Sequence, residues 1–202
     1  VGIYIQQQIG ASVDSCYAFD PSFRCAGTPL GLKIAQEMMM ADPSLNTVMV
    51  AGGNANAYLV NQNDPNQSFL YNMSPSAFSV ILKRDYDRNH LVGNAILTDP
   101  LFATDVVCTH GGSRNHMTLE MAKAIVDNPA LLDDINKLTI PDPQGMKERL
   151  GERSMIDFTG VVKRACDPKG IHTSDIDFLS MVATSPRAQY AIMDELGLAQ
   201  DK

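Results

Sequence analysis

The chain has 202 residues, 45% of them hydrophobic and 19% charged, with no tryptophan and 11 methionines, a composition that supports a packed core and argues against disorder. Its net charge is −7, and no Lys/Arg run forms the positive stripe that a phosphate backbone needs, which excludes nucleic acid as the expected partner. No apolar stretch reaches the length of a membrane span, and Cys16, Cys25, Cys108 and Cys166 form no C-x-x-C pair, so neither a metal site nor a compact disulfide framework is expected, and a reducing, cytoplasmic setting is.

The N-terminal residues place Ile3, Ile5 and Ile9 as in an amphipathic helix. Residues 15–20, SCYAFD, read as a short buried strand, and residues 28–41 as a helix with Leu30, Ile34 and Met38 at four-residue spacing. Thr28 is placed to cap that helix, with Pro29 in its first turn. TVMVAGG, residues 47–53, is a second apolar run, and strand, helix and strand together predict a parallel right-handed crossover. Residues 54–68 read as a polar loop. SAFSVILK (76–83) and LVGNAIL (91–97), separated by RDYDRN, predict an antiparallel hairpin. Paired glycines in CTHGGSRNH (108–116) break the pattern. Helices are then expected over 117–127, 143–166 and near 187–196, with a strand DIDFLSMV (175–182) before the last. Alternating strands and helices make the chain α/β.

Among the reactive side chains, Cys25 stands out because a helix is expected to begin just after it. The free N–H groups and positive dipole end of a helix N-terminus stabilise a thiolate, the nucleophilic form of cysteine. Ala26 and Gly27 are small and leave an acyl group room to approach, their backbone N–H groups are available to an oxyanion, and Arg24 adds positive charge. A buried structural cysteine is the competing explanation, since free cysteines are among the most buried residues. His110 and His116 flank Gly111-Gly112 and His90 and His172 sit in loop regions, where solvated roles are expected; either of the first two as base would make a cysteine hydrolase.

The run IGASVDSCYAFDPSFRCAGTPLGLKIAQEMM resembles the segment around the active-site cysteine of the thiolase superfamily, in its β-ketoacyl-[acyl-carrier-protein] synthase III and hydroxymethylglutaryl-CoA synthase branch. TVMVAGG, SFLYNMSPSAFSVILKRD, ILTDPLFATDVVCTHGGSRNH and GIHTSDIDFLSMVATSPRAQYAIMDELGL resemble later family segments in the family's order. The resemblance implies a partial, layered αβαβα architecture with mixed, mainly parallel sheets. It makes 1–115 the cysteine-bearing part of one half and 116–202 the start of the other, with truncation at both ends. It also implies an acyltransferase of fatty acid biosynthesis in which Cys25 takes an acyl group from a CoA or carrier-protein thioester for Claisen condensation. No cofactor is implied beyond that thioester substrate, and the implied partners are acyl-CoA or acyl carrier protein, with a homodimer or a pairing to another thiolase-fold chain.

The chain departs from the pattern where condensation would occur. The family places a histidine after a strand like DIDFLSMV, whereas this chain reads Met181-Val182-Ala183-Thr184-Ser185, and none of these supplies an imidazole. The family asparagine belongs to a segment beyond the last helix, past Lys202. Met73-Ser74-Pro75 and Asp99-Pro100 stand where glycines are usual, and proline there restricts the backbone. The alternative function is therefore a non-catalytic or degenerate thiolase-fold partner that lacks the condensing His and Asn.

Overall fold

The computed structural model describes residues 1–23, 25–71, 74–88, 90–182 and 185–201, with Asn56 and Phe69 described by backbone alone. The chain forms two compact units, one of Val1–Asn54 with Ser76–Asn94 and one of Ala55–Pro75 with Ala95–Lys202.

In the first unit, α1 (Gly2–Gln8) is followed by an irregular segment and then by α2 (Gly27–Ala41). Both helices lie where the apolar spacing puts them. Ala35 and Met39 are the buried apolar residues described here, both on the inward face of α2. That face rests on β1 (Thr47–Asn54) at Gly31, where an added Cβ would come 2.8 Å from Cγ1 of Val50, so the helix backbone approaches the strand closely because position 31 has no side chain.

β1 pairs antiparallel with β2 (Ser76–Lys83) in a two-stranded sheet. This corrects two expectations, the parallel crossover and the hairpin of 76–83 with 91–97. The register sets Gly52 opposite Phe78, whose ring occupies the space a Cβ at residue 52 would fill, so Gly52 receives the aromatic of β2. Residues 91–97 form no strand; Leu91 instead offers its carbonyl to Nε2 of Gln36 on α2, at 2.9 Å. Residues 15–20 are turn and irregular backbone and largely exposed, because an apolar run becomes a strand only where a neighbouring chain accepts its N–H and C=O groups. The sheet among the described residues is thus antiparallel rather than mainly parallel. Its face carrying Met49 and Ile81 is exposed.

In the second unit, α3 (Leu119–Asp127), α4 (Pro143–Cys166) and α5 (Pro186–Glu195) match the predicted helices to within two residues. Their starts are chemically marked. Thr118 accepts from the N–H of Met121, Asp142 from that of Gly145, and Ser185 from that of Ala188, while Pro143 and Pro186 fill first-turn positions that need no N–H donor. Lys163 and Arg164 in the last turn of α4 oppose its negative dipole end. The expected strand over 175–182 is absent from the described residues. Ile176, Leu179 and Met181 instead pack from irregular backbone on the core of Ile192, Met193, Leu196 and Leu198, on which Met155 and Val162 of α4 also pack. Gly111 (φ +89°) and Gly112 (φ +72°) take the left-handed backbone of a tight turn, held by Asn136, whose Oδ1 accepts from the N–H of Gly112 at 2.9 Å.

Candidate active site

Cys25 is a free, exposed thiol in the turn that leads directly into α2. Its exposure removes the buried structural explanation. Ala26 is the N-cap residue and Gly27 the first helical residue, so the predicted strand-to-helix junction is a turn-to-helix junction here. Thr28 lies inside the helix and does not cap it; the N-cap has no side-chain hydrogen bond. The reason is register: the helix begins one residue before Thr28, whose hydroxyl is then past the position from which it could reach back to the first N–H groups. Among the described residues no N-cap side chain accepts from the leading amides of α2, and Pro29, the third residue, has no N–H at all. The donors of the first turn are consequently those of Gly27 and Thr28, two and three residues after Cys25 in sequence. Arg24 falls outside the described residues, as do Met73, Ala183 and Thr184.

Two cavities lie in the second unit. One, of about 320 Å³, is lined by Val60, Leu70 and Tyr71 among others; the smaller, about 80 Å³, by His110, Met121, Ile125 and Asp134 among others. Cys25 lines neither. His110 Nδ1 is 2.9 Å from the hydroxyl of its neighbour Thr109, and His90, His116 and His172 are exposed. The thiol of Cys108 donates to the carbonyl of His110 at 3.3 Å, which ties it to its own turn. Among the described residues, no group of three or more His, Cys, Asp or Glu side chains could hold a metal ion, and no helix is long and apolar enough to cross a membrane.

Two arginines one turn apart on α4 anchor the segment that carries Asp99 and Asp105. Arg149 reaches Asp105 with two bonds, Nη2 to Oδ1 at 2.5 Å and Nε to Oδ2 at 3.2 Å, and Asp105 is 6% exposed. Arg153 Nε donates to Asp99 Oδ2 at 3.1 Å. Asp99 also caps the short 3-10 turn Pro100–Phe102 by accepting from the N–H of Leu101, so Asp99-Pro100 builds a cap and a turn start. The Leu101 N–H, ahead of Arg153, holds the Asp99 carboxyl below its ordinary value. A carboxyl lowered in the folded state stabilises it above the unfolded value, near pH 4, and that contribution disappears as pH falls through the lower folded value. Asp99→Asn is expected to lower the urea midpoint at pH 6, with the gap to the parent closing toward pH 2; a gap constant with pH would refute the assignment.

A family model described as 3-oxoacyl-[acyl-carrier-protein (ACP)] synthase III matches residues 19–100, the stretch that contains Cys25, α2, β1 and β2. The structure is similar to the crystal structure of 3-oxoacyl-(acyl carrier protein) synthase III, FabH, from Pseudomonas aeruginosa PAO1, with a TM-score of 0.69 over 99% of this chain. The chain has a thiolase-like fold, shared with that synthase III structure. Sequence identity to that structure is 17%, and the match spans 55% of its length, so this thiolase-like chain corresponds to about half of that protein. No curated protein sequence matches it. The α/β thiolase-like architecture expected from the ordered segments is present in partial form.

The sequence reading did not single out Arg84, Asp105 or Arg149 of this thiolase-like chain. Arg149 and Arg153 had a visible signal, two like charges at i and i+4 on one helix face, where only opposing carboxylates make the spacing favourable.

Proposed function

We propose that this chain is an acyltransferase of the synthase III type in which Cys25 is the acyl acceptor. The observation that carries the proposal is the placement of an exposed, free Cys25 beside the uncapped first turn of α2, inside the stretch matched by the synthase III family. In the reaction, the Cys25 sulfur attacks the carbonyl carbon of an acyl-CoA or acyl-carrier-protein thioester. The new C–S bond forms as the bond to the carrier sulfur breaks, and the carrier thiol leaves with the proton that Cys25 gave up. The oxyanion of the intermediate is met by backbone N–H groups of the same turn, with Ala26 and Gly27 as the neighbouring backbone and Arg24 adding positive charge. The substrates are acyl-CoA or acyl carrier protein, the setting is cytoplasmic fatty acid biosynthesis, and a second copy or another thiolase-fold chain is the partner. On this assignment 1–115 belongs to the cysteine-bearing half and 116–202 opens the other.

A second assignment, a thiolase-fold partner that does not condense, is favoured by the Met181–Ser185 run, which offers no imidazole to activate a malonyl thioester. The two separate cleanly in one experiment. The full chain is incubated with acetyl-, butyryl- and octanoyl-CoA, digested and weighed by mass spectrometry, then given malonyl-CoA. An acyl mass on the Cys25 peptide is expected; its absence with all three thioesters would overturn the acyl-acceptor role. Release of carbon dioxide from malonyl-CoA would overturn the non-condensing alternative.

A further inference from the structure

We propose that Arg84 is a positioning residue for Cys25, holding the C-terminal end of α2 so that the turn at its N-terminal end keeps its place. This rests on the acyl-acceptor assignment of Cys25 and adds the residue that governs its alignment. The last carbonyls of a helix have no partner within it. On α2 the last turn contains no basic residue to help them, and the chain leaves through Asp42 in extended backbone, whose own carbonyl accepts from the N–H of Leu45 at 3.2 Å. Arg84 supplies it from the strand side. Its Nη2 donates to the carbonyl of Met39 in the last turn, and to those of Asp42 at 3.0 Å and Leu45 at 3.2 Å in the segment that follows. A cation at this end also meets the negative pole of the helix dipole.

The base of Arg84 is itself fixed, because its backbone N–H donates to the carbonyl of Asn46 at 2.9 Å, one step beyond the Thr47–Lys83 pair of the sheet. Nε is buried with no hydrogen-bond partner among the described residues, where the guanidinium is held by what Nη2 grips. A buried donor left unpaired is uncommon and calls for a reason. Convergence on one carbonyl in the last turn of α2 and two in the segment that follows provides it.

Geometry carries the effect along α2. Gly31 presses the helix against Val50 and serves as the pivot. At 1.5 Å per residue, Met39 lies about 12 Å to one side of that pivot and Gly27 about 6 Å to the other. A displacement at the Arg84 end therefore returns about half as large beside Cys25. Misplacement by a fraction of an ångström to an ångström is enough to slow a reaction between positioned groups by about tenfold or more.

The test uses the full chain and the variants Arg84→Met and Arg84→Lys, with folding checked by far-UV circular dichroism. Single-turnover acylation of Cys25 by acetyl-CoA is followed by peptide mass, and iodoacetamide labelling of Cys25 and Cys108 in parallel. Arg84→Met is expected to lower the saturating acylation rate about tenfold with the half-saturating concentration unchanged. Arg84→Lys, which keeps a cation and donors, is expected to stay within about threefold of the parent. The iodoacetamide rate of Cys25 falls in Arg84→Met while that of Cys108 holds. Should Arg84→Met not fold, Arg84→Gln carries the same expectations. Unchanged Cys25 rates, a Lys variant as slow as the Met variant, or Cys25 and Cys108 rates that move together would each overturn the proposal. A parent chain that takes no acyl group overturns the acceptor assignment alone; the Cys25 to Cys108 labelling ratio then decides the role of Arg84.

Discussion

Cys25→Ser is expected to lower acyl uptake from CoA thioesters by at least about a thousandfold, because a hydroxyl at neutral pH is a far poorer nucleophile than a thiol. The substitution is nearly isosteric at an exposed position in a turn, so the fold has little to lose, and far-UV circular dichroism and the melting temperature should match the parent. That pairing makes the result interpretable: loss of the acyl mass with unchanged melting places the chemistry on this sulfur. Acyl groups retained in Cys25→Ser, on Cys16, Cys108 or Cys166, would move the acceptor elsewhere. Treatment with neutral hydroxylamine should release the acyl group from the parent, as expected for a thioester.

Met193→Ala is expected to destabilise the second unit by about 3 kcal/mol, within the usual cost of emptying a methionine site in a packed core. Met193 is 2% exposed, the largest of the apolar side chains described as fully buried, and it sits with Ile192, Leu196 and Leu198 against Met155 and Val162. Its removal therefore takes contacts from α4 and α5 together. For a chain of this size a loss of that order corresponds to a melting temperature lower by roughly 10 °C. Met193→Leu, which conserves volume, should cost less than about 1.5 kcal/mol. Equal melting of the Ala variant and the parent would show that this cluster contributes little to the fold.

Helices were more legible than strands in this sequence, for a physical reason. A helix satisfies its backbone internally, so local signals suffice: Asp142 and Pro143 mark the start of α4, Ser185 and Pro186 that of α5, and Leu30, Ile34 and Met38 the body of α2. A strand is completed by a partner that the local sequence does not name. SCYAFD, LVGNAIL and DIDFLSMV carry apolar residues suited to burial, yet form no strand among the described residues, whereas β1 and β2, which contain TVMVAGG and SAFSVILK, find each other across 21 intervening residues, 55–75. The pairing depends on Phe78 meeting Gly52, a long-range fit invisible to periodicity. At the candidate site, the small residues after Cys25 and the helix that follows could be read directly. Arg84 could not, since nothing near it in sequence points to the end of a helix about 40 positions earlier.

The scarcity of buried apolar side chains around α2 has a consequence for how the first unit breathes. Ala35 and Met39 are the apolar residues described as buried there, against eight such residues in the second unit. Amide protons of α2 should therefore exchange with solvent through local openings that leave the α4 and α5 core intact, so that the segment beside Cys25 and the rest of the chain belong to separate cooperative folding units.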